Sequence, residues 1–316
     1  MKRNTNGILD LFVQHNKAFS ARVGYSRAKG TYDRYRVVYR HLEVYVRQAY
    51  RRKDLPLSDI RTDFVLGFDT WLRTTLHLSS NTVWNYMIVL KHIITLARNE
   101  GLMTFNPFSS YTNSYTSVDR GYLSEEELTR LVRFPARTKV EELVRDLFIF
   151  AAFTGLAYID VKNLREDNIR KFFDGHWWII TRRHKTGVES NIRLLDVPLR
   201  LLEKYRGTLP GGRLFPVPTN NCCNTNLQNL ARRCGVRTTL TFHMARHTFA
   251  TIALNRGMPV ETLSRILGHT SIRTTQIYAK ITNKKISADM AVLSDGLSMV
   301  EQTICRRLVG SRSSRK

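Results

Sequence analysis

The chain has 316 residues with 42% hydrophobic content, which is enough for two domains with buried cores. Its 50 Lys and Arg residues outnumber 26 Asp and Glu residues, and the formal net charge of +24 favours a polyanionic partner such as DNA, although membrane surfaces and ribosomes are anionic too. No apolar run approaches the ~20 residues of a membrane span, and the first residues lack the apolar stretch of a signal peptide, so the composition argues against a membrane-spanning or exported protein.

Residues 1–105 are predicted to form an all-helical domain. Apolar residues recur in steps of three and four, the period of one helix face, at Tyr35, Val38, Leu42, Tyr45 and Ala49 and again at Val83, Met87, Leu90, Ile94 and Ala97. Phe64, Phe68 and Trp71 mark a further helix between these two. Six Arg residues fall largely off the first stripe: Arg34, Arg36, Arg40, Arg47, Arg51 and Arg52. A basic helical surface with interleaved aromatic residues suits contact with the DNA backbone.

Residues 106–119 are predicted to be a linker, and residues 120–316 a second domain. The linker contains Pro107 and a run of Ser and Thr residues with little periodicity. A helix is expected shortly after the linker, because Ser124 and Glu127 have the spacing of a capping box.

A β-hairpin is predicted in the middle of the second domain. In the segment W-W-I-I-T-R-R-H-K-T-G-V-E-S-N-I-R-L-L-D-V-P, two strand-like runs flank the turn residues Lys185, Thr186 and Gly187. Helical patterns dominate elsewhere, so the predicted fold class is mostly α with a small antiparallel β-sheet.

Three helices are predicted between residues 243 and 278. The first covers residues 243–256 and puts His243 and Arg246 on one face, at i and i+3. A glycine ends the second helix and leaves His269 at the mouth of a loop. The third helix is expected to carry Tyr278.

The side chains of this stretch suit phosphoryl transfer. A Tyr hydroxyl can attack phosphorus and hold the product covalently. An Arg guanidinium can clamp two phosphate oxygens at once through its planar fork. A His ring can hydrogen-bond a phosphate oxygen or move a proton near neutral pH.

A metal site is an alternative for the same stretch, because His243 and His247 are four residues apart. A zincin helix needs Glu directly after the first His, and position 244 is Met, so no metal is predicted. The four Cys residues have no paired C-x-x-C spacing, which indicates reduced thiols in a cytoplasmic protein. No G-x-x-x-x-G-K-[ST] phosphate loop occurs, and no cofactor is predicted.

Three separately spaced elements carry a family resemblance: H-M-A-R from His243, L-G-H ending at His269, and Tyr278 nine residues later. Together they resemble the C-terminal signature of the tyrosine recombinase (phage integrase) family. The resemblance implies a helical core-binding (SAM-like) domain at residues 1–105 and a tyrosine recombinase catalytic domain at residues 120–316. It also implies that DNA strands are cleaved and rejoined through a 3′-phosphotyrosyl intermediate, without a metal or a cofactor.

The resemblance assigns roles to five residues. Tyr278 is expected to be the nucleophile, with Arg246 and His269 stabilising charge on the phosphoryl oxygens. Lys185, on the hairpin, is expected to protonate the leaving oxygen, and His243 to assist proton transfer or to hold an oxygen.

One position departs from the family pattern. Ala157 follows Thr-Gly-Leu, where the family normally has its first catalytic Arg. Side chains two residues apart on a strand point the same way, so Arg183 should face the phosphate if Lys185 does. Arg183 is therefore the expected substitute, chosen over Lys162, Arg165 and Arg182. Asp160 matches an acidic position that braces the site in the family, although a helix cap or a surface carboxylate is an equally good interpretation.

The expected partner is double-stranded DNA with inverted-repeat core sites, bound by a dimer on one site and a tetramer in synapsis, as the family implies. Because the predicted helices begin almost at the first residue, a minimal, invertase-like recombinase is expected rather than an integrase with an extra arm-binding domain. Two alternatives stay open. A type IB topoisomerase uses the same chemistry to relax DNA, and the missing Arg at Ala157 is compatible with a catalytically impaired DNA-binding protein.

Overall fold

The computed structural model describes residues 7–116, 121–207, 209–278 and 283–310. By their contacts the residues divide into two units, Met1–Asp119 and Arg120–Lys316. Within the described ranges the first unit is helical, and the second adds a three-stranded antiparallel sheet to its helices. The predicted fold class, mostly α with a small antiparallel sheet, is confirmed. No helix in these ranges has both the length and the apolar character needed to cross a membrane.

The first unit is built on four α-helices among its described residues: α1 (Ile8–Ser20), α2 (Lys29–Tyr50), α3 (Thr62–Thr74) and α4 (Ser80–Asn99). The predicted stripe on α4 is buried along its whole length. On α2 the stripe is buried from Val38 to Tyr45 and Tyr35 is half-buried, but Ala49 is exposed and Val46 enters the core instead. The six Arg residues that were predicted to lie off this stripe are all exposed, so the unit has a basic outer surface.

The segment that follows α4 also packs on the first unit. Met103 and Phe108 are buried in its core. The Tyr111 hydroxyl donates a 2.5 Å hydrogen bond to Oδ2 of Asp69 on α3. Residues 106–116, which the sequence places in the linker, therefore include side chains that belong to this core.

The second unit contains nine further α-helices within the described residues. They are α5 (Glu125–Arg133), α6 (Lys139–Thr154), α7 (Tyr158–Asn163), α8 (Asp196–Tyr205), α9 (Asn220–Arg233), α10 (Phe242–Asn255), α11 (Val260–Ile266), α12 (Arg273–Gln276) and α13 (Asn283–Gly310). The predicted capping box begins α5, since the Ser124 hydroxyl accepts from the Glu127 amide at 3.1 Å and the Glu127 carboxylate accepts from the Ser124 amide at 3.0 Å. Helix α6 is apolar on most of its surface and lies in the core, where α8, α9 and α10 pack against it.

The sheet consists of β1 (Ile169–Lys171), β2 (Trp177–Arg182) and β3 (Glu189–Arg193) in the order β1-β2-β3. Strands β2 and β3 form the predicted hairpin, with Ile179 opposite Ile192 as its buried pair. The turn closes through the Arg183 amide, which donates to the Val188 carbonyl at 2.9 Å. Strand β2 ends at Arg182, so Arg183 and Lys185 lie beyond the strand.

Two glycines bring separate segments close together. Gly155 ends α6 at φ +71°, and a Cβ there would clash with Phe249 of α10 and with Leu267. Gly268 lies just beyond α11 at φ +59°. Both positions are left-handed, which favours glycine, and together they let the ends of α6 and α11 meet beside α10.

Candidate active site

Arg246 lies at the centre of the site. It is on α10, its residue surface is 3% exposed, and its guanidinium donates to the carbonyl of Gly155 at 2.7 Å and to that of Leu267 at 2.6 Å. These carbonyls end α6 and α11, so the negative ends of two helices face one cation. Burial, with a further contribution from neighbouring Arg183, lowers the Arg246 pKa to about 10. Arg246 is charged at neutral pH but has lost most of its water.

His269 lies next to this guanidinium, at the loop mouth that the sequence predicts. Its Nε2 is 2.9 Å from a guanidinium nitrogen of Arg246, and its Nδ1 is 2.7 Å from the Thr275 hydroxyl. Because a guanidinium can only donate, Nε2 is the acceptor and the ring proton is on Nδ1. Burial and the charges of Arg246, Arg183 and Lys185 lower the His269 pKa to about 4, so the ring is neutral at pH 7.

Arg183 reaches the same place from the hairpin. Its NH1 group donates to the Leu267 carbonyl at 2.9 Å, and its Nε is 2.8 Å from Oδ2 of Asp160 in a buried ion pair. The other oxygen of Asp160 accepts from the His184 amide at 2.9 Å. Asp160 therefore braces both the side chain and the turn, in agreement with one of its two predicted roles.

The direction of Arg183 has a different physical cause from the predicted one. Strand alternation cannot orient it, because β2 ends at Arg182 and Arg183 begins the turn. The ion pair with Asp160 and the carbonyl of Leu267 hold the side chain inward instead. Arg182 is exposed and donates to the Gly187 carbonyl at 3.4 Å, so it points away as expected.

Lys185 lies on the exposed turn of the hairpin. The neighbouring Thr186 hydroxyl donates to the Gly268 carbonyl at 3.2 Å and ties this turn to the residue before His269. The ammonium group is close enough to His269 to contribute to the lowering of its pKa. An exposed amine on an anchored turn can reach a ligand that lies over Arg246 and His269.

Tyr278 is half-buried and lies just beyond α12, not on it. Helix α12 is shorter than predicted, and Tyr278 lies in the turn that follows it. The Tyr278 amide donates to the Thr275 carbonyl at 3.0 Å. The Tyr278 side chain is hydrogen-bonded to Arg246, which opposes the lowering of the Arg246 pKa. The phenol oxygen is therefore within contact of the buried cation.

Two histidine rings connect α10 to the tyrosine. His243 is exposed, and its ring lies edge-to-face on His247 with a centroid distance of 4.7 Å. The His247 ring lies edge-to-face on Tyr278 at 5.0 Å. The sequence identified His247 only as a possible metal ligand, whereas the structure places it against Tyr278. Among the described residues, no group of three His, Cys, Asp or Glu side chains is arranged to hold a metal ion.

Ala157, the position that departs from the family pattern, precedes α7 and lies two residues after Gly155. Of the cations considered as substitutes, Lys162 is near enough to Cys223 on α9 for its charge to act on the pKa of that thiol, and the Arg165 guanidinium lies by Gly212. Arg183 is the one of these that contacts the groups around Arg246.

Comparison with known proteins decides the family. Residues 121–285 match the phage integrase family, and residues 8–114 match the phage integrase SAM-like domain. The chain belongs to the phage integrase family. This integrase-family chain is 29% identical over 175 residues to the tyrosine recombinase XerA of Pyrococcus furiosus, which is 52% of this chain and 58% of that protein. It is 27% identical over 227 residues to the tyrosine recombinase XerC of Oceanobacillus iheyensis, covering 65% and 72% of the two chains.

Other relatives match over shorter stretches or by fold. The match to XerA of Saccharolobus solfataricus, at 38% identity, spans 33% of this chain and 35% of that protein, so the alignment covers only about a third of that relative. Among solved structures, the Tn1549 transposon integrase in complex with transposon right end DNA aligns with a TM-score of 0.69 at 18% identity, over 91% of this chain and 99% of that one. XerH bound to its difH substrate aligns equally well, with a TM-score of 0.69 at 17% identity. At these identities the two structures show a shared fold.

In this member of the integrase family, the predicted site residues gather around one guanidinium. Arg183, His269 and Tyr278 meet Arg246 directly or through the Leu267 carbonyl, while Lys185 approaches from the turn and His243 is connected through His247. The sequence did not single out Thr275, which holds His269. A Thr six residues after a His carries no periodic signal, and the loop path alone brings the two together.

Proposed function

We propose that this chain is a site-specific DNA recombinase that cleaves and rejoins strands through a 3′-phosphotyrosyl intermediate. The observation that carries the proposal is the contact between the Tyr278 side chain and the buried Arg246, with Arg183 on the same Leu267 carbonyl. A nucleophilic hydroxyl beside two guanidiniums suits attack on a phosphodiester.

Each residue has a defined part in the proposed reaction. The Tyr278 oxygen forms a bond to phosphorus as the bond from phosphorus to the 5′-oxygen breaks, and Lys185 gives a proton to that leaving oxygen. His243 assists removal of the tyrosine proton. Arg246 and His269 stabilise the charge that develops on the non-bridging oxygens. Attack by the 5′-hydroxyl of a partner strand reverses the step and keeps the bond energy.

Arg183 is proposed to replace the Arg that is missing at Ala157. Its guanidinium shares the Leu267 carbonyl with Arg246, at 2.9 and 2.6 Å, so both cations lie within reach of one phosphate. The ion pair with Asp160 fixes the side chain before DNA arrives, which spares the entropy of ordering it.

The proposed partner is double-stranded DNA with inverted-repeat core sites, bound by a dimer on each site and a tetramer in synapsis. The net charge of +24, the exposed Arg residues on and just after α2, and the solved structures of similar proteins bound to DNA support a DNA partner. We also propose that the reaction takes place in the cytoplasm.

A suicide substrate tests the proposal. In a duplex nicked a few nucleotides to the 3′ side of the scissile phosphate, cleavage releases the short fragment that carries the freed 5′-hydroxyl. Religation then fails, so a covalent protein–DNA adduct accumulates. Candidate sites are taken from inverted repeats in the genomic DNA around the gene. The wild-type chain should form the adduct, and Tyr278→Phe should bind the same DNA without forming it. No adduct from the wild type at any site it binds would contradict the proposal and would favour a DNA-binding protein without catalysis.

Supercoiled plasmid separates the proposal from a topoisomerase. A site-specific recombinase should act on plasmids that carry the core site and yield joined, inverted or excised products. Relaxation of plasmids with no such site, at the same rate and without recombinant products, would favour the type IB topoisomerase alternative.

A further inference from the structure

Thr275 connects the two residues that flank Arg246 in the proposed site. Its side chain is fully buried, and its hydroxyl is 2.7 Å from Nδ1 of His269. Its carbonyl accepts the Tyr278 amide at 3.0 Å. One residue therefore fixes the orientation of the His269 ring and supports the turn that carries Tyr278.

The protonation of His269 in this structure suits contact with Arg246 and not with a phosphate. Arg246 donates to the lone pair of Nε2 at 2.9 Å, so Nε2 is unprotonated and Nδ1–H donates to the Thr275 hydroxyl. A phosphate oxygen is an acceptor. If His269 is to contact it through Nε2, as the proposed function requires, Nε2 must carry a proton.

Two routes can place that proton. The ring can become cationic, or it can stay neutral and change tautomer. Arg246 on α10 and Arg183 and Lys185 on the β2–β3 turn all face His269 with positive charge, and burial lowers its pKa to about 4. A bound phosphate adds negative charge, which favours a cationic ring, but the three cations around His269 already offset that charge. The neutral route is open only if the partner of Nδ1 can switch from acceptor to donor.

We propose that Thr275 is a positioning residue that lets His269 act as a neutral Nε2–H donor to the scissile phosphate. A hydroxyl can accept or donate in the same place. It accepts from Nδ1–H in the free protein, and it rotates to donate to Nδ1 once Arg246 turns to the phosphate. Nδ1 loses a proton to water and Nε2 gains one from water, so the charge of the ring does not change. The inference rests on the proposed function, because it concerns the phosphate contact of the same site.

Substitutions at Thr275 test the role of the hydroxyl. Thr275→Val keeps the branched shape but cannot donate, and it should lower single-turnover cleavage of the suicide substrate about 10²-fold, the usual effect of losing one donor to developing charge. DNA affinity should stay unchanged. Thr275→Ser restores the hydroxyl and should restore most of the rate. Thr274→Val is the matched control, since Thr274 is exposed on the same helix.

The tautomer itself can be read from ¹⁵N chemical shifts of histidine-labelled protein, with His269→Gln to assign the signal. Free protein should show Nδ1–H, and the Tyr278→Phe variant bound to the duplex should show neutral Nε2–H. In agreement, cleavage by the wild type should not fall as pH rises from 5 to 7. A doubly protonated ring in the complex, or Nδ1–H in both states, would overturn the inference even if the Val variant failed to fold.

The outcomes separate this inference from the proposed function. Wild-type adduct together with equal cleavage by Thr275→Val overturns the role of Thr275 and leaves the recombinase proposal in place. Absence of wild-type adduct overturns the recombinase proposal itself.

Discussion

Arg183 and Arg246 lie side by side because both donate to the carbonyl oxygen of Leu267, at 2.9 and 2.6 Å. Two buried cations repel each other, and the charge of Arg183 adds to the effect of burial in lowering the Arg246 pKa. The carbonyl at the end of α11 and the carboxylate of Asp160 offset part of this repulsion. A phosphodiester would offset more of it, so the arrangement is suited to an anion before any ligand is bound.

Loss of the Arg183 guanidinium should abolish most cleavage while leaving DNA binding intact. We expect Arg183→Ala to slow adduct formation by ~10²–10³, the range for removal of one donor to transition-state charge. Arg182→Ala, which removes an exposed Arg next to it, should cleave almost normally and serves as the control. Ala157→Arg in the Arg183→Ala background should recover part of the rate. Cleavage by Arg183→Ala within a few-fold of wild type would show that Arg246 needs no second clamp.

Arg183→Ala also leaves the buried carboxylate of Asp160 without its partner, which typically destabilises a fold by ~3–5 kcal/mol. A second variant, Arg183→Ala with Asp160→Asn, removes that unpaired charge. Thermal unfolding of both variants distinguishes a catalytic defect from a folding defect. If the double variant is stable and still fails to cleave, the defect is catalytic.

Gly268 should tolerate no side chain, because a Cβ there would clash with the Cγ of Arg183. Gly268→Ala adds this clash to the strain of a left-handed backbone, together roughly 2–5 kcal/mol. Gly257→Ala is the matched control, since Gly257 also has positive φ after a helix but has open space around its Cα. It should cost only about 1–2 kcal/mol. Chemical denaturation of both variants gives the comparison, and equal losses would show that Arg183 moves aside freely.

Acid should destabilise the catalytic unit partly through His269. Its pKa falls from 6.5 to about 4 on folding. Between these pH values His269 is protonated in the unfolded chain and neutral in the folded chain. The contribution to stability is complete above pH 6.5 and is lost as pH falls toward 4. Melting temperatures at pH 7.5 and pH 5 should therefore differ less for His269→Gln than for wild type. His15 and His41 also have lowered pKa values, which is why the difference between variants is the informative quantity.

Salt should weaken DNA binding steeply. A protein that contacts 6–10 phosphates loses ~10³–10⁵ in affinity between 50 and 200 mM salt, and a net charge of +24 supports contacts of that number. The measurement is the slope of log affinity against log salt concentration for a core-site duplex. Arg40→Ala, which removes an exposed cation from α2, should make the slope shallower by about 1 if Arg40 contacts a phosphate. A flat salt dependence would contradict a phosphate-dominated interface.

The sequence by itself determined most of the elements and supplied the residues that are proposed for the reaction. Local patterns carry that information: the stripe on α4, the capping box at Ser124 and the hairpin turn at Gly187 each depend on residues a few positions apart. The order and spacing of His243, His269 and Tyr278 likewise pointed to phosphoryl transfer, because these residue types define the chemistry wherever the chain brings them together.

The tertiary structure alone decided how the cations are held. Sequence reasoning selected Arg183 by strand alternation, but the strand ends one residue earlier, and a carboxylate 23 positions away in the chain orients the side chain. Thr275 and His247 were missed for the same reason, since their partners are set by the path of the loop after α11 and by the turn after α12. Contacts between segments distant in sequence follow from which ends of α6, α10 and α11 the core brings together, and no local pattern encodes that.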